Sequence, residues 1–175
     1  MRAPLLLRLD AGDRALYARL ALNDSAPLSS TRLWIGVTHL GGATSAILAV
    51  VIPLLLATEA LRQAAELGAW SLLVSHLAVQ VVKRHAGRPR PEPAREGRVR
   101  VEVPDRFSFP SGHACAAMSV AFAYGMSMPH LAVPLSLLAV IVGMSRVRLG
   151  VHYPGDVLVG QVIAIATVLV FWTLT

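Results

Sequence analysis

The sequence predicts an all-α polytopic membrane bundle, about five transmembrane helices preceded by an N-terminal interfacial helix. Of its 175 residues, 55% are hydrophobic and only 15% charged, a balance too apolar for a soluble domain of this length. The apolar residues run in long blocks instead of alternating, as a bilayer crossing of about 20 residues requires. Arginines, histidines and acidic residues collect at the joints between blocks. Residues 1–175 read as a single membrane-embedded domain, with 1–32 an N-terminal interfacial segment and 83–110 a polar loop.

At the start, Arg8 and Asp10 interrupt the brief apolar run after Met1, too early for the apolar core of a secretory signal, so the N-terminus is expected to be retained. From Asp13 to Leu22 a helix places Leu16, Tyr17, Leu20 and Ala21 on one side, which suits a helix lying on the membrane or packed on its neighbours. Leu33 to Thr58 contains no Asp, Glu, Lys or Arg and gives the first span. Trp34 stands at its start, Gly41-Gly42-Ala43 offers a smooth packing surface, and His39 is expected to be a buried hydrogen-bonding residue. Glu59 to Arg62 reads as a tight polar turn, and Gln63 to Val82 as a second span on which His76 and Gln80 share a face and reach toward a neighbouring helix. After the loop, Phe107 to Met144 is uncharged and too long for one helix, and Met128-Pro129-His130 breaks it into spans near Ser111–Met128 and Leu131–Ser145. Val157 to Thr175 is the fifth span.

Five spans bring three polar clusters to one membrane face: Lys83 to Pro91, Pro110 to His113, and Ser145 to Asp156. Ionisable groups at a membrane edge mark a functional site, against the plainer reading of a positive cap. Ser111 before an apolar helix is an N-cap, and Gly112 lets the backbone approach a ligand, so the helix start favours an anion. His152, followed four residues later by Asp156, fits a nucleophile with its orienting carboxylate. His113 fits the acid that protonates a leaving oxygen and later activates water. Cations to balance phosphate are plentiful, and the chain's single lysine, Lys83, stands out among 15 arginines. One cysteine, Cys115, forms neither an internal disulfide nor a cysteine metal cluster.

The residues in these clusters carry a resemblance. Lys83 with six residues before Arg90-Pro91, then Pro110-Ser111-Gly112-His113, then Ser145-Arg146 with five residues before His152 and three before Asp156, resembles the three-part signature of the type 2 phosphatidic acid phosphatase family at every position. The resemblance implies a metal-independent membrane hydrolase of lipid phosphomonoesters or pyrophosphates, without a cofactor. It implies His152 as the nucleophile that forms a phosphohistidine, Asp156 as its partner and His113 as acid and base. Lys83, Arg90, Ser111, Gly112 and Arg146 are implied to hold the phosphate. It also distinguishes Arg90 and Arg146 from Arg84, Arg88, Arg95, Arg98, Arg100, Arg106 and Arg148, which otherwise read as membrane-edge charges. Family members commonly have six spans, against five here.

A net charge of +6 with arginines flanking hydrophobic spans points to anionic lipid headgroups, not nucleic acid, as partners. All basic residues but Arg62 lie on the active-site face or its flanks, and the positive-inside rule puts that face in the cytoplasm of a bacterial-type inner membrane. Substrates made inside follow: phosphatidylglycerol phosphate or a prenyl-phospho-phosphoribose, with prenyl pyrophosphate and phosphatidic acid as further members of the class. Vanadate-dependent haloperoxidases share the fold and oxyanion pocket but resemble soluble proteins. A non-enzymatic lipid-binding or lipid-moving protein is the alternative of a different class.

Overall fold

The computed structural model describes residues 3–23, 25–92, 101–103 and 105–174, with side chains from residue 10 onward. Arg95, Arg98 and Arg100 of the polar loop lie outside the described residues. The described residues form seven helices and no strand: α1 Ala3–Leu20, α2 Leu28–His39, α3 Ala43–Leu56, α4 Glu59–Ala86, α5 Gly112–Ser127, α6 Pro129–Arg148 and α7 Pro154–Trp172.

The central element is α5, which packs against α4, α6 and α7. Its composition explains this position: Ala114, Cys115, Ala116, Ala121 and Ala123 are buried, and side chains this small let neighbouring helices approach closely where lipid offers no hydrophobic drive between them. Its 16 residues extend about 24 Å at 1.5 Å per residue, and surrounding helices cover most of that length. Glycines on the neighbouring helices permit close approaches. A Cβ at Gly160 on α7 would lie 2.5 Å from the Ser111 carbonyl, and one at Gly143 on α6 would lie 2.6 Å from Val157.

Three helices, α4, α6 and α7, are long and apolar enough to cross a membrane. The pair α2 and α3 passes the same test together but is bent by 44°. The single straight span expected over Leu33–Thr58 is therefore broken. Gly41 and Gly42 form the break, consistent with their low helix propensity, and Gly41 also serves the close packing expected of it: a Cβ there would meet Val142 at 2.5 Å and the His113 carbonyl at 3.0 Å. The break thus sits level with the start of α5. On one side α2 packs along the C-terminal end of α6, and on the other α3 packs against α4.

Other expectations are revised by the coordinates. Glu59–Arg62 is the first turn of α4 instead of a separate turn, and Lys83–Ala86 are its last turn, ended by Gly87 in the left-handed conformation at φ 57°, the usual helix stop. His39 is exposed; Thr38 beside it is the buried polar residue. His76 and Gln80 meet each other, not a neighbouring helix. The N-terminal helix begins ten residues before Asp13 and packs on its neighbours: Tyr17 and Leu20 cover Ala114, Val147 and Val157 at the end of the bundle where α5 and α7 start.

Candidate active site

Each polar cluster reaches the same end of the bundle by a different local device. Ser111 caps α5, its hydroxyl accepting from the Ala114 N–H at 3.4 Å, so the free amides and positive dipole end of α5 point outward. The Ser111 N–H in turn donates to the Asp156 carbonyl at 2.9 Å, joining the start of α5 to the start of α7. At α7, Asp156 accepts from the Tyr153 N–H at 2.8 Å, which places its carboxylate beside the turn that carries His152. Arg146 projects from the last turns of α6, and Gly150, at φ 78°, turns the chain back so that the Val151 and His152 N–H groups bond the Arg146 carbonyl.

These devices assemble a cleft of about 640 Å3 between α3 and α4, closed at one end by Lys83, Arg90, Gly112, His113, Arg146 and His152. Seven of the eight predicted site residues are thereby accounted for at or directly behind one wall: six line the cleft, and Asp156 sits behind His152. Ser111 acts one step back, as the cap. A Cβ at Gly112 would meet no heavy atom within 4 Å, so its backbone borders open space.

His152 is 2% exposed. Its Nε2 lies 3.1 Å from an Arg90 guanidinium nitrogen, and since guanidinium only donates, Nε2 carries a lone pair. The ring proton then resides on Nδ1, which lies 3.6 Å from the Asp156 carboxylate and makes no hydrogen bond among the described residues. Burial lowers the pKa of His152 to about 4, with Arg146 and Arg90 adding to the shift and Asp156 opposing it. The imidazole is therefore neutral at ordinary pH, the form a nucleophile needs.

The cations differ in how far their donors are already used. Lys83 donates to Asp105 at 2.7 Å and to the Phe107 carbonyl at 3.4 Å. Arg90 donates to Asp105 at 3.1 Å and 2.8 Å and to the Val151 carbonyl at 2.9 Å. Arg146, 1% exposed, donates to the Thr38 hydroxyl at 2.7 Å, and its Nε and other terminal nitrogen have no partner among the described residues. Desolvating an arginine without satisfying its donors is costly, so Arg146 is poised to hold an anion. Among the described residues no three His, Cys, Asp or Glu side chains gather as metal ligands would.

Three residues of the site were not selected from the sequence. Asp105 bridges Lys83 and Arg90, and these cations hold its carboxyl below the ordinary range against the opposing effect of burial. Thr38 receives Arg146. Arg88, set aside as a membrane-edge charge, reaches three carboxylates at 2.7 Å each: Asp156 behind His152, and Asp10 and Asp13 on α1. Burial alone would lower its pKa, but the three carboxylates outweigh burial and raise it. Its guanidinium also lies 4.2 Å from the Tyr153 ring centroid.

The fold and site together define a class: a helical membrane bundle whose helix ends collect two histidines and three buried cations around one cleft. Residues 67–175 match the PAP2 superfamily, and the chain belongs to that family. It is 40% identical over 92 residues to the decaprenylphosphoryl-5-phosphoribose phosphatase of Mycobacterium tuberculosis, a match covering 50% of this chain and 48% of the relative. It is 34% identical over 139 residues to phosphatidylglycerophosphatase B of Bacillus subtilis, covering 71% and 65%. The chain thus spans about half the length of the first of these curated relatives. The crystal structure of a transmembrane PAP2-type phosphatidylglycerolphosphate phosphatase from Bacillus subtilis superposes with a TM-score of 0.75 at 23% identity, covering 95% of this chain and 86% of that one, a likeness of fold.

Proposed function

We propose that the chain is an integral-membrane lipid phosphatase that works through a phosphohistidine at His152, without a metal or cofactor. The observation that carries this reading is the buried neutral imidazole of His152, its Nε2 lone pair beside Arg90 at the closed end of a cleft whose other end is aliphatic. An amphipathic substrate fits such a cleft with its phosphate among the cations and its tail between α3 and α4.

In the first step Nε2 forms a bond to phosphorus while the bond from phosphorus to the headgroup oxygen breaks, and His113, taken up as imidazolium alongside the phosphate dianion, gives that oxygen its proton and becomes neutral. The Nδ1–H faces Asp156, so the positive charge that develops on the ring forms beside a carboxylate. Lys83, Arg90, Arg146 and the amides at the start of α5 stabilise the three equatorial oxygens, the electrostatic contribution that dominates phosphoryl transfer. In the second step His113 takes a proton from water, water attacks phosphorus, and the N–P bond breaks to release inorganic phosphate. The mechanism needs no oxidant or reductant. The basic residues concentrated on this end support a site on the cytoplasmic face.

The test is phosphate release by the purified protein from phosphatidic acid, phosphatidylglycerol phosphate, a prenyl pyrophosphate and a prenyl-phospho-phosphoribose, alongside His152→Ala. Release by the parent protein that falls by about a thousandfold or more in a folded variant is expected for loss of a covalent nucleophile. Undiminished release in the variant overturns the mechanism. No release from any lipid by folded parent protein favours a lipid-binding or lipid-moving role.

A further inference from the structure

The wall that α4 contributes to the cleft changes character with distance from the phosphate end. Ala69, Leu72, Leu73, His76, Gln80 and Lys83 line it, at spacings of three and four that form one stripe of a helix. Measured from Lys83 along the axis, Gln80 is about 4.5 Å and His76 about 10.5 Å into the bundle at 1.5 Å per residue. The leucines and Ala69 follow. The facing wall from α3, which includes Ala43, Ile47 and Val51, is apolar along the same length. The stripe on α4 therefore reads, in order, ammonium, amide, imidazole and hydrocarbon.

Gln80 and His76 meet through nitrogens 3.3 Å apart. The amide donates and the imidazole accepts, which leaves the Gln80 carbonyl oxygen and the His76 Nδ1–H without another hydrogen bond among the described residues. Hydrogen-bonding groups set into a hydrocarbon-facing surface are unfavourable unless something polar meets them. Here they lie between the cations and the aliphatic stretch, where the part of a lipid that joins phosphate to tail would sit.

We propose that His76 and Gln80 form a headgroup subsite for hydroxyl groups carried between the scissile phosphate and the lipid tail. The preferred substrate is a lipid whose phosphomonoester sits on a hydroxyl-bearing headgroup, a pentose or a glycerol, over one whose phosphate joins the apolar part directly. The Gln80 carbonyl accepts from one hydroxyl and the His76 Nδ1–H donates to its oxygen or a neighbouring one. This subsite rests on the lipid-phosphatase reading given above and refines its substrate.

Full-length protein in mixed micelles tests it by the rate of phosphate release from two lipid pairs. The hydroxyl-bearing lipids are a prenyl-phospho-phosphoribose and phosphatidylglycerol phosphate; those without an intervening hydroxyl are phosphatidic acid and a prenyl pyrophosphate. The parent protein should favour the first pair. His76→Leu/Gln80→Leu should lower kcat/KM on that pair by about tenfold, chiefly through KM, as expected for losing one or two hydrogen bonds, and change it less than about twofold on the second. Equal losses on all four lipids, no loss on any, or parent activity confined to the second pair each overturn the subsite while leaving the phosphatase reading intact. If folded parent protein releases phosphate from none, the phosphatase reading fails and the subsite falls with it.

Discussion

Arg88 donates to the Asp156 carboxylate at 2.7 Å, and through Asp10 and Asp13 the same guanidinium is tied to the N-terminal helix. The carboxylate behind His152 is thus held from the far side by an arginine that does not line the cleft. Asp13 also accepts from the Gly155 N–H at 2.7 Å, so α1 grips the start of α7 at two points.

Replacing Arg88 by Ala leaves Asp156, fully buried, without its cation. Removing one partner of a buried pair costs about 3 kcal/mol or more of stability. Phosphate release should fall at least about tenfold, mainly in kcat, because the imidazolium's carboxylate is displaced while the cleft cations stay. Arg88→Lys should restore only part of the loss, since a point charge cannot reproduce a planar fork serving several carboxylates. Steady-state kinetics with a melting curve on each variant checks this.

The pH dependence follows from His152. Its folded pKa, about 4, lies below the ordinary histidine value near 6.5, so the unfolded chain binds a proton first as pH falls. Stability is unaffected by this group above about pH 6.5 and declines progressively toward pH 4. The imidazole remains largely unprotonated over most of the same interval. An NMR titration of the His152 ring should therefore show a midpoint well below pH 6.5, and a midpoint at or above 6.5 would contradict the assignment.

Gly112→Ala separates binding from folding. The added methyl meets no protein atom within 4 Å, so thermal stability should change by less than about 1 kcal/mol. It projects at the edge of the cleft where, on the proposed mechanism, the α5 amides meet the phosphate, so KM should rise several-fold. Gly160→Ala is the opposite case: its methyl would lie 2.5 Å from the Ser111 carbonyl. Stability should fall by about 1–3 kcal/mol from overpacking, and activity with it as the start of α5 shifts.

Chelation distinguishes the chemistry. On the proposed phosphohistidine mechanism, phosphate release should survive excess EDTA. A loss restored by added magnesium would assign the reaction to a metal-dependent class.

The family signature and the blocks of apolar residues made the bundle and the cleft residues legible before any coordinates. What escaped depended on long-range partners. Arg88 and Asp156 are 68 residues apart and Arg88 and Asp10 are 78 apart, so nothing local separated Arg88 from its neighbouring arginines. Its place between a left-handed Gly87 and Pro89 was the available signal, a rigid turn that aims the side chain. His39, expected inside, is exposed and Thr38 is buried in its stead: adjacent helical residues point about 100° apart, and an uncharged block carries no phase to say which faces inward. The break at Gly41 was legible as two glycines but was read only as a packing surface; it is both.

That break has a consequence for how the protein can change. Because the chain bends there, α3 is free of the polar duties that α2, α4, α5 and α6 perform at the closed end, and it enters the cleft only as an aliphatic partition. Ile47 and Val51 can be exchanged for smaller or larger side chains without disturbing a proton, a cation or a helix cap. On the proposed reading, adaptation to a bulkier or slimmer lipid is open to this one partition, while the residues at the closed end stay as they are.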